Sequence, residues 1–472
     1  MTSRPRPRPP TLVALAVVAL VPFVVLRLKL IPVDDPDSFW HVLSGQHVWQ
    51  AHEVVVDDPF GRFSTNPWVQ IDWLSDLAMA GVHAVAGLAG VAWLYATLGI
   101  LLFVALYVAA RRSAPPLTAG IVATLGWAGT YASQGFRPQT VSFVLLAVTL
   151  VAWDRVRRGE SGTPWWLVAL TWVWACLHGL WFLGPLVGLT VVLGLALDRS
   201  RPGRELLRLL AVPVAGLAAA CLTPIGPSLL TTPFTVNAYA GLVSEWRPPD
   251  VHEPYVAGTV VLLVVTALAW ARSGERARTP DILLWVMALG WTLLYARTVA
   301  IGAVIAVPLA ATALASLLPL PAEPGARRVE RLLLPVSAVA AVLLAAVLAP
   351  SVAGRAGGMP TALDGAIDRL PRDTVVLNDD AVGGWLLLEH PAVHPVIDTR
   401  TYLFDVPYIT AYTDARATRS GWPGFVAYTD ASAALVRREE PLVPGLLDEL
   451  GWIVLAEGDG WVLVGDPARV GS

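Results

Sequence analysis

Charge is scarce in this 472-residue chain: Asp, Glu, Lys and Arg make up 15% of it, where an ordinary soluble domain carries about 25%. With 55% hydrophobic residues and a mean hydropathy of +0.60, a water-soluble globule is excluded. A basic excess is also missing. The net charge of −3 argues against a nucleic-acid partner, which needs a positive stripe to displace counterions. Cysteine is nearly absent, and its two copies, Cys176 and Cys221, lie inside apolar runs. Buried thiols are therefore expected, and a disulfide scaffold is not. No repeat of solenoid period and no low-complexity tract stands out.

Uncharged length is what the sequence has in quantity. Runs such as Thr11–Leu26, Gly87–Ala110, Val256–Ala271 and Leu332–Ala353 recur between short charged clusters, each near the ~20 residues that a helix needs to cross a bilayer. Arg4, Arg6 and Arg8 precede the first run. No small-x-small cleavage site precedes the polar loop beyond it, so the segment reads as an uncleaved span rather than a signal peptide.

Eighteen of the 33 Lys and Arg fall in six places: Arg4–Arg8, Arg111 and Arg112, Arg155–Arg158, Arg199–Arg208, Arg272–Arg278, and Arg327–Arg331. Putting all six in the cytoplasm predicts eleven spans, with the N-terminus inside and the C-terminus outside. They cover residues 11–31, 88–110, 117–136, 140–154, 164–178, 180–197, 206–222, 256–271, 280–296, 299–318 and 332–353. The stretch Trp73–Ala86 is helical and fairly apolar but carries Asp76 and His83. As a span it would reverse everything downstream, so an interfacial helix over 73–86 is expected.

This topology gathers polar residues on the outer face. The loop 32–72 carries Asp34, Asp35, Asp37, His41, Asp57, Asp58, Arg62 and Asp72 among Trp40, Trp49, Trp68 and Trp73, too long and too aromatic for a mere connector. Outer turns add Arg137, His178 and Arg297; a second outer loop, 223–255, adds Glu245, Trp246, Arg247, Asp250, His252 and Glu253. Beyond the last span composition turns ordinary. Residues 354–472 read as an outer α/β domain, with strands over Val375–Leu377, Val393–Ile397, Trp452–Leu455 and Trp461–Val464 and helices over Trp385–Leu388 and Pro441–Leu450. The expected architecture is a polytopic α-helical membrane domain, 1–353, that includes loop 32–72 and helix 73–86, followed by an extracytoplasmic domain, 354–472.

The acidic run Asp34-Asp35-Pro36-Asp37 sits where the first span exits. Three carboxylates in four residues repel one another unless a cation, a proton or a hydroxyl donor lies among them. They read as a general base, as ligands of a divalent cation such as Mg or Mn through Asp35 and Asp37, or as a solvated loop end. Arg137, His178 and Arg297, beside apolar helix ends, suit a phosphate clamp, Arg being the bidentate binder. Snorkelling to headgroups is the alternative for each, and a hydrogen-bonded core histidine for His178. Most tryptophans read as interfacial belt; Trp40, Trp68 and Trp246 are the exceptions suited to a sugar.

Several stretches then resemble a known motif set. They are Asp35-Pro36-Asp37-Ser38-Phe39-Trp40-His41, Asp58-Pro59-Phe60-Gly61, Asp72-Trp73-Leu74, Arg137-Pro138-Gln139, His178-Gly179 and Glu245-Trp246-Arg247. Near the C-terminus come Asn378-Asp379-Asp380 with Gly383-Gly384, and Ile397-Asp398-Thr399-Arg400. Together they resemble a little-characterised bacterial group within the GT-C superfamily of membrane glycosyltransferases. The likeness runs through nearly the whole chain. Phe39 for Trp, Asp72 for Glu, and Gly61-Arg62 for Ser and an aromatic depart from the pattern.

The resemblance implies a GT-C-like fold and transfer of a sugar from a polyprenyl-phosphate-linked donor to a cell-envelope glycan, glycolipid or protein acceptor, on the outer face of the cytoplasmic membrane. Asp35 or Asp37 would deprotonate the acceptor hydroxyl, oriented by His41 and by Asp58 or Asp72. Arg137, Arg247 and Arg297 would neutralise the leaving phosphate, with Trp40, His178 and Glu245 also on the substrate. Asn378, Asp379, Asp398 and Arg400, at strand ends, would hold the acceptor, unless Asp398 and Arg400 simply pair and cap. A non-catalytic membrane scaffold is the alternative. A transporter is disfavoured, because the span centres are nearly free of charge.

Overall fold

The computed structural model describes residues 9–231, 246–273, 277–317 and 324–470. Two compact units divide the chain: Met1–Ile31 with Ala89–Ala353, and Pro32–Leu88 with Gly354–Ser472.

The first unit is helical. It holds α1 (Pro9–Lys29), the C-terminal part of α3 (Trp73–Arg111), α4 (Pro116–Gly129), α5 (Gln139–Arg157), α6 (Trp166–Leu177), α7 (Leu183–Leu197), α8 (Gly203–Ala220), α9 (Pro254–Ser273), α10 (Thr279–Leu294), α11 (Val299–Leu317) and α12 (Pro324–Val352). Each of the eleven spans expected from the basic clusters overlaps one of these helices. Among the described residues, seven helices are long and apolar enough to cross a membrane; α6 and α10 are apolar but shorter. Both end where the chain turns extended, at His178 (φ −169°) after α6 and at Tyr295 (φ −147°) after α10; α4 likewise stops at Gly129, before a single 3-10 turn over Tyr131–Ser133. Helix α11 is the buried centre. Small residues let its neighbours approach: a Cβ on Gly126 of α4 would come within 2.1 Å of Val307, and one on Gly302 within 2.0 Å of Thr292 on α10.

Helix α3 is one helix only in outline. Ala86 and Gly87 leave helical geometry, Gly87 at φ +57° and ψ −148°, a region open essentially to glycine alone. The break falls beside the division between the two units, so the Trp73–Ala86 stretch belongs with the loop before it.

The second unit joins two stretches far apart in sequence. Its five-stranded sheet has the order β4-β3-β5-β7-β6, from β3 (Thr374–Asn378), β4 (Val393–Pro395), β5 (Ala433–Arg437), β6 (Ile453–Gly458) and β7 (Trp461–Gly465). Strand β3 pairs parallel with β4 and β5, and β7 pairs antiparallel with β5 and β6. Helices α13 (Asp380–Glu389), α14 (Val406–Arg416) and α15 (Trp422–Thr429) belong to the same unit. The earlier stretch supplies α2 (Asp37–Ala51) and a short antiparallel pair, β1 (Val55–Val56) with β2 (Trp68–Val69). Trp68 of that pair is buried in the core with Leu377, Phe404, Tyr408 and Val436, and Trp40, Phe60 and Phe63 pack against it. The expected Pro441–Leu450 helix is shorter, α-helical only over Leu442–Pro444 before a wider turn through Gly445–Glu449. Strand β5 and helices α14 and α15 are additions to the elements expected from the sequence.

Candidate functional site

The acidic run of the second unit is a hydrogen-bonded turn that starts α2. Asp35 is buried and its carboxylate accepts the backbone N–H of Asp37 at 3.1 Å, while its carbonyl accepts from Ser38 at 3.1 Å. Asp37, half-buried, accepts from the Trp40 indole at 3.2 Å and from the Thr399 hydroxyl, which itself lies 3.1 Å from the same indole nitrogen. One face of α2 then carries His41 and Ser44 into a buried polar knot. His41 Nδ1 is 2.6 Å from Asp76 Oδ1, and the Ser44 hydroxyl is 2.5 Å from Asp76 Oδ2 and 2.6 Å from Gln70 Oε1. Burial alone lowers the pKa of His41. The carboxylate of Asp76, with Asp72 and Asp37 further off, outweighs that and raises it above the ordinary 6.5.

A second knot of the same unit ties the loop to the end of β4. Arg400 is 1% exposed; its guanidinium bonds Asp58 at 3.0 and 3.2 Å and Asp398 at 2.6, 3.0 and 3.2 Å, and it lies 4.5 Å over the Trp68 ring. Asp58 also caps the backbone N–H groups of Phe60 and Gly61. Of the residues expected on the substrate, Arg400 is thus found bonded to both Asp58 and Asp398. Asn378 holds the β4 exit by bonds to Ile397 and Val396, both 2.9 Å, and Asp379 pairs with Arg416 at 2.9 Å.

In the first unit, expected residues gather around the turns that follow α4 and α10. Arg297 reaches Gln139 at 3.4 Å and lies 5.0 Å over the Trp246 ring, which packs edge-on against Tyr295. Ser133 bonds the Arg297 carbonyl, and Gln139 bonds the Ser133 carbonyl. Lys29, at the end of α1, donates to the Gln134 carbonyl at 2.7 Å and lies 4.4 Å over the Tyr131 ring. Arg137 is half-buried in the same turn. His178 Nδ1 is 2.9 Å from the Ser142 hydroxyl, which also accepts from Trp174. Arg247 is exposed and 3.5 Å from Glu253. Glu245 lies outside the described residues.

Lys29, Asp76, Ser44, Gln70 and Thr399 were not among the expected site residues. For Lys29 a signal exists, because it is the only lysine in the chain. For the other four, nothing local in the sequence ties them to His41 or Asp37.

Hard carboxylate oxygens at Asp35 and Asp37 would suit Mg or Mn. Here they are turned to an N–H, an indole and a hydroxyl, and among the described residues no three His, Cys, Asp or Glu side chains are grouped to hold a metal ion.

No family model matches the sequence, and no curated protein matches it. Solved structures do. The chain is similar to the apo oligosaccharyltransferase of Archaeoglobus fulgidus at 12% identity and TM-score 0.57, over 90% of this chain and 69% of that one. The same enzyme tethered to an acceptor peptide matches at 13% identity and TM-score 0.54, with 90% and 69% coverage. The arabinofuranosyltransferase AftD from Mycobacteria matches at 15% identity and TM-score 0.55, over 96% of this chain and 41% of that one. These are GT-C glycosyltransferases, and the likeness shows that this chain has their fold.

Proposed function

We propose that the chain is a glycosyltransferase that moves a sugar from a polyprenyl-phosphate-linked donor to an acceptor hydroxyl or amide at the outer face of the cytoplasmic membrane. The observation that carries this reading is Asp37, a half-buried carboxylate held by two side-chain donors at the start of α2, in a chain of GT-C fold. Fold likeness alone would not assign an activity.

In this reading Asp37 takes the proton of the acceptor as the acceptor atom bonds the anomeric carbon. The bond from that carbon to the lipid phosphate breaks, and the phosphate leaves with the electron pair. Basic groups must meet the charge that grows on it, an interaction stronger in the transition state than in the ground state; Arg137, Arg247 and Arg297 are the candidates that the sequence offers for this. Asp35 serves the turn: its carboxylate is bonded to the Asp37 N–H, so it sets the backbone from which Asp37 projects. His41, paired to Asp76, fixes the next turn of the helix. The acceptor peptide tethered to the archaeal oligosaccharyltransferase supports a protein acceptor as one class to try, beside glycans and glycolipids.

The test is turnover by purified full-length protein with polyprenyl-phosphate sugars. Asp37→Asn keeps shape but loses the basic lone pair, and turnover should fall about 10²- to 10⁴-fold, the usual range for a positioned base. Asp35→Asn retains an oxygen to accept the Asp37 N–H and should lose far less. Undiminished transfer by Asp37→Asn would sink the assignment, as would equal losses at the two positions with unchanged melting temperatures.

A further inference from the structure

We infer that Thr399 is a positioning residue, through which the C-terminal sheet sets the orientation of the Asp37 carboxylate; this rests on the reading of Asp37 as the base. Thr399 stands between two immobilised neighbours. On one side the exit of β4 is held by Asn378, which is fully buried and bonds both Ile397 and Val396. On the other, Arg400 is fixed by Asp58, Asp398 and the Trp68 face, and its backbone N–H also bonds Asp398 at 2.8 Å. A hydroxyl carried on such a segment has little freedom to follow a wandering partner.

The partner is equally enclosed. Thr399 donates to Asp37 Oδ1, the Trp40 indole donates to the same oxygen at 3.2 Å, and the indole nitrogen is 3.1 Å from the Thr399 oxygen. The three groups close a triangle that selects one rotamer of Asp37. Helix α13 is bare where the acidic turn passes. A Cβ on Gly384 would meet the Pro36 carbonyl at 3.1 Å and the backbone nitrogen of Trp40 at 3.5 Å, and one on Gly383 would meet the Ile397 carbonyl at 2.1 Å. The backbone of the turn and the β4 exit are therefore packed against the same helix. Threonine fits the role because its methyl and hydroxyl leave χ1 few choices.

Thr399→Val keeps the shape and removes the donor; Thr399→Ser keeps the donor. With full-length protein and a polyprenyl-phosphate sugar, Thr399→Val should lower kcat about 10- to 100-fold, as a misplaced reacting group does, with KM for the lipid donor unchanged. Thr399→Ser should restore most of the rate. A second measurement needs no turnover: melting temperatures of Asp37→Asn, Thr399→Val and the double variant, which should be non-additive for side chains in contact. Additive melting shifts overturn the inference whatever the rates do. An inactive Asp37→Asn beside a fully active Thr399→Val overturns it as well and leaves the base assignment standing. Wild-type turnover in Asp37→Asn, or no transfer by the wild type with any sugar tried, removes the base assignment and the positioning role with it.

Discussion

His41 shows how one buried side chain can report on the whole acidic loop. It is held inside the second unit by Asp76, and its pKa is raised despite the burial that lowers it. A histidine whose folded pKa exceeds its unfolded value adds stability that is fully present below about 6.5 and is lost as pH rises through the folded value. The melting temperature of His41→Gln should therefore fall furthest below the wild type in mildly acidic buffer, and the gap should shrink above neutral pH; a gap independent of pH would mean that the pair is not an ion pair. Lys29 allows a different residue-level measurement, since it is the chain's only lysine. An amine-reactive reagent, mapped by peptide mass, should modify it more slowly once a polyprenyl phosphate is added. Equal rates with and without the lipid would leave Lys29 a structural residue that bonds Gln134 and lies over Tyr131.

Elements differ in how openly the sequence declares them. The spans were legible because apolar length and basic clusters are local patterns, and each expected span overlaps a helix. Strand β5 was not. Its residues Ala433–Val436 are buried on both faces, so no alternation marks them, and a short alanine-containing apolar run suits helix and strand alike. Helices α14 and α15 carry Pro at their first turns and polar Thr, Asp and Tyr between the buried positions, which blurs their apolar stripe. Helix α13 was expected, yet its glycines have a meaning that only packing gives. Gly383→Ala would push a methyl to 2.1 Å from the Ile397 carbonyl, a backbone atom held by Asn378. Overpacking of this kind costs about 1–3 kcal/mol. Gly383→Ala should accordingly melt several degrees lower, whereas Gly424→Ala on α15, with nothing within 4 Å of its Cβ, should match or exceed the wild type. If both behave alike in differential scanning fluorimetry, the tight packing at Gly383 is wrong.

At the scale of the molecule, the sequence marks a change of composition after residue 353 but not that the loop beginning at Pro32 folds with the C-terminal stretch beyond that change. Trp68 enters a core made with Leu377 and Tyr408, and Asp58 meets Arg400, across more than three hundred residues; such contacts leave no local pattern, so the acidic motif and the Asp398-Thr399-Arg400 motif could be recognised separately but not joined. Their joining bears directly on topology. If 32–88 and 354–470 are one compact unit, both must lie on one side of the membrane, and the chain between them must cross an even number of times. The eleven-span reading leaves ten crossings between them, which is even; with the six basic clusters in the cytoplasm, the unit is expected outside. Thr65 and Ser420 are exposed on the two stretches, and Arg204 is exposed at the start of α8 in a basic cluster. With Cys176 and Cys221 replaced by Ala, single Thr65→Cys and Ser420→Cys proteins in intact cells should both react with a membrane-impermeant maleimide, and Arg204→Cys should react only after permeabilisation. Labelling of one outer position without the other would break the unit itself; labelling of Arg204→Cys alone would keep the unit and reverse the orientation.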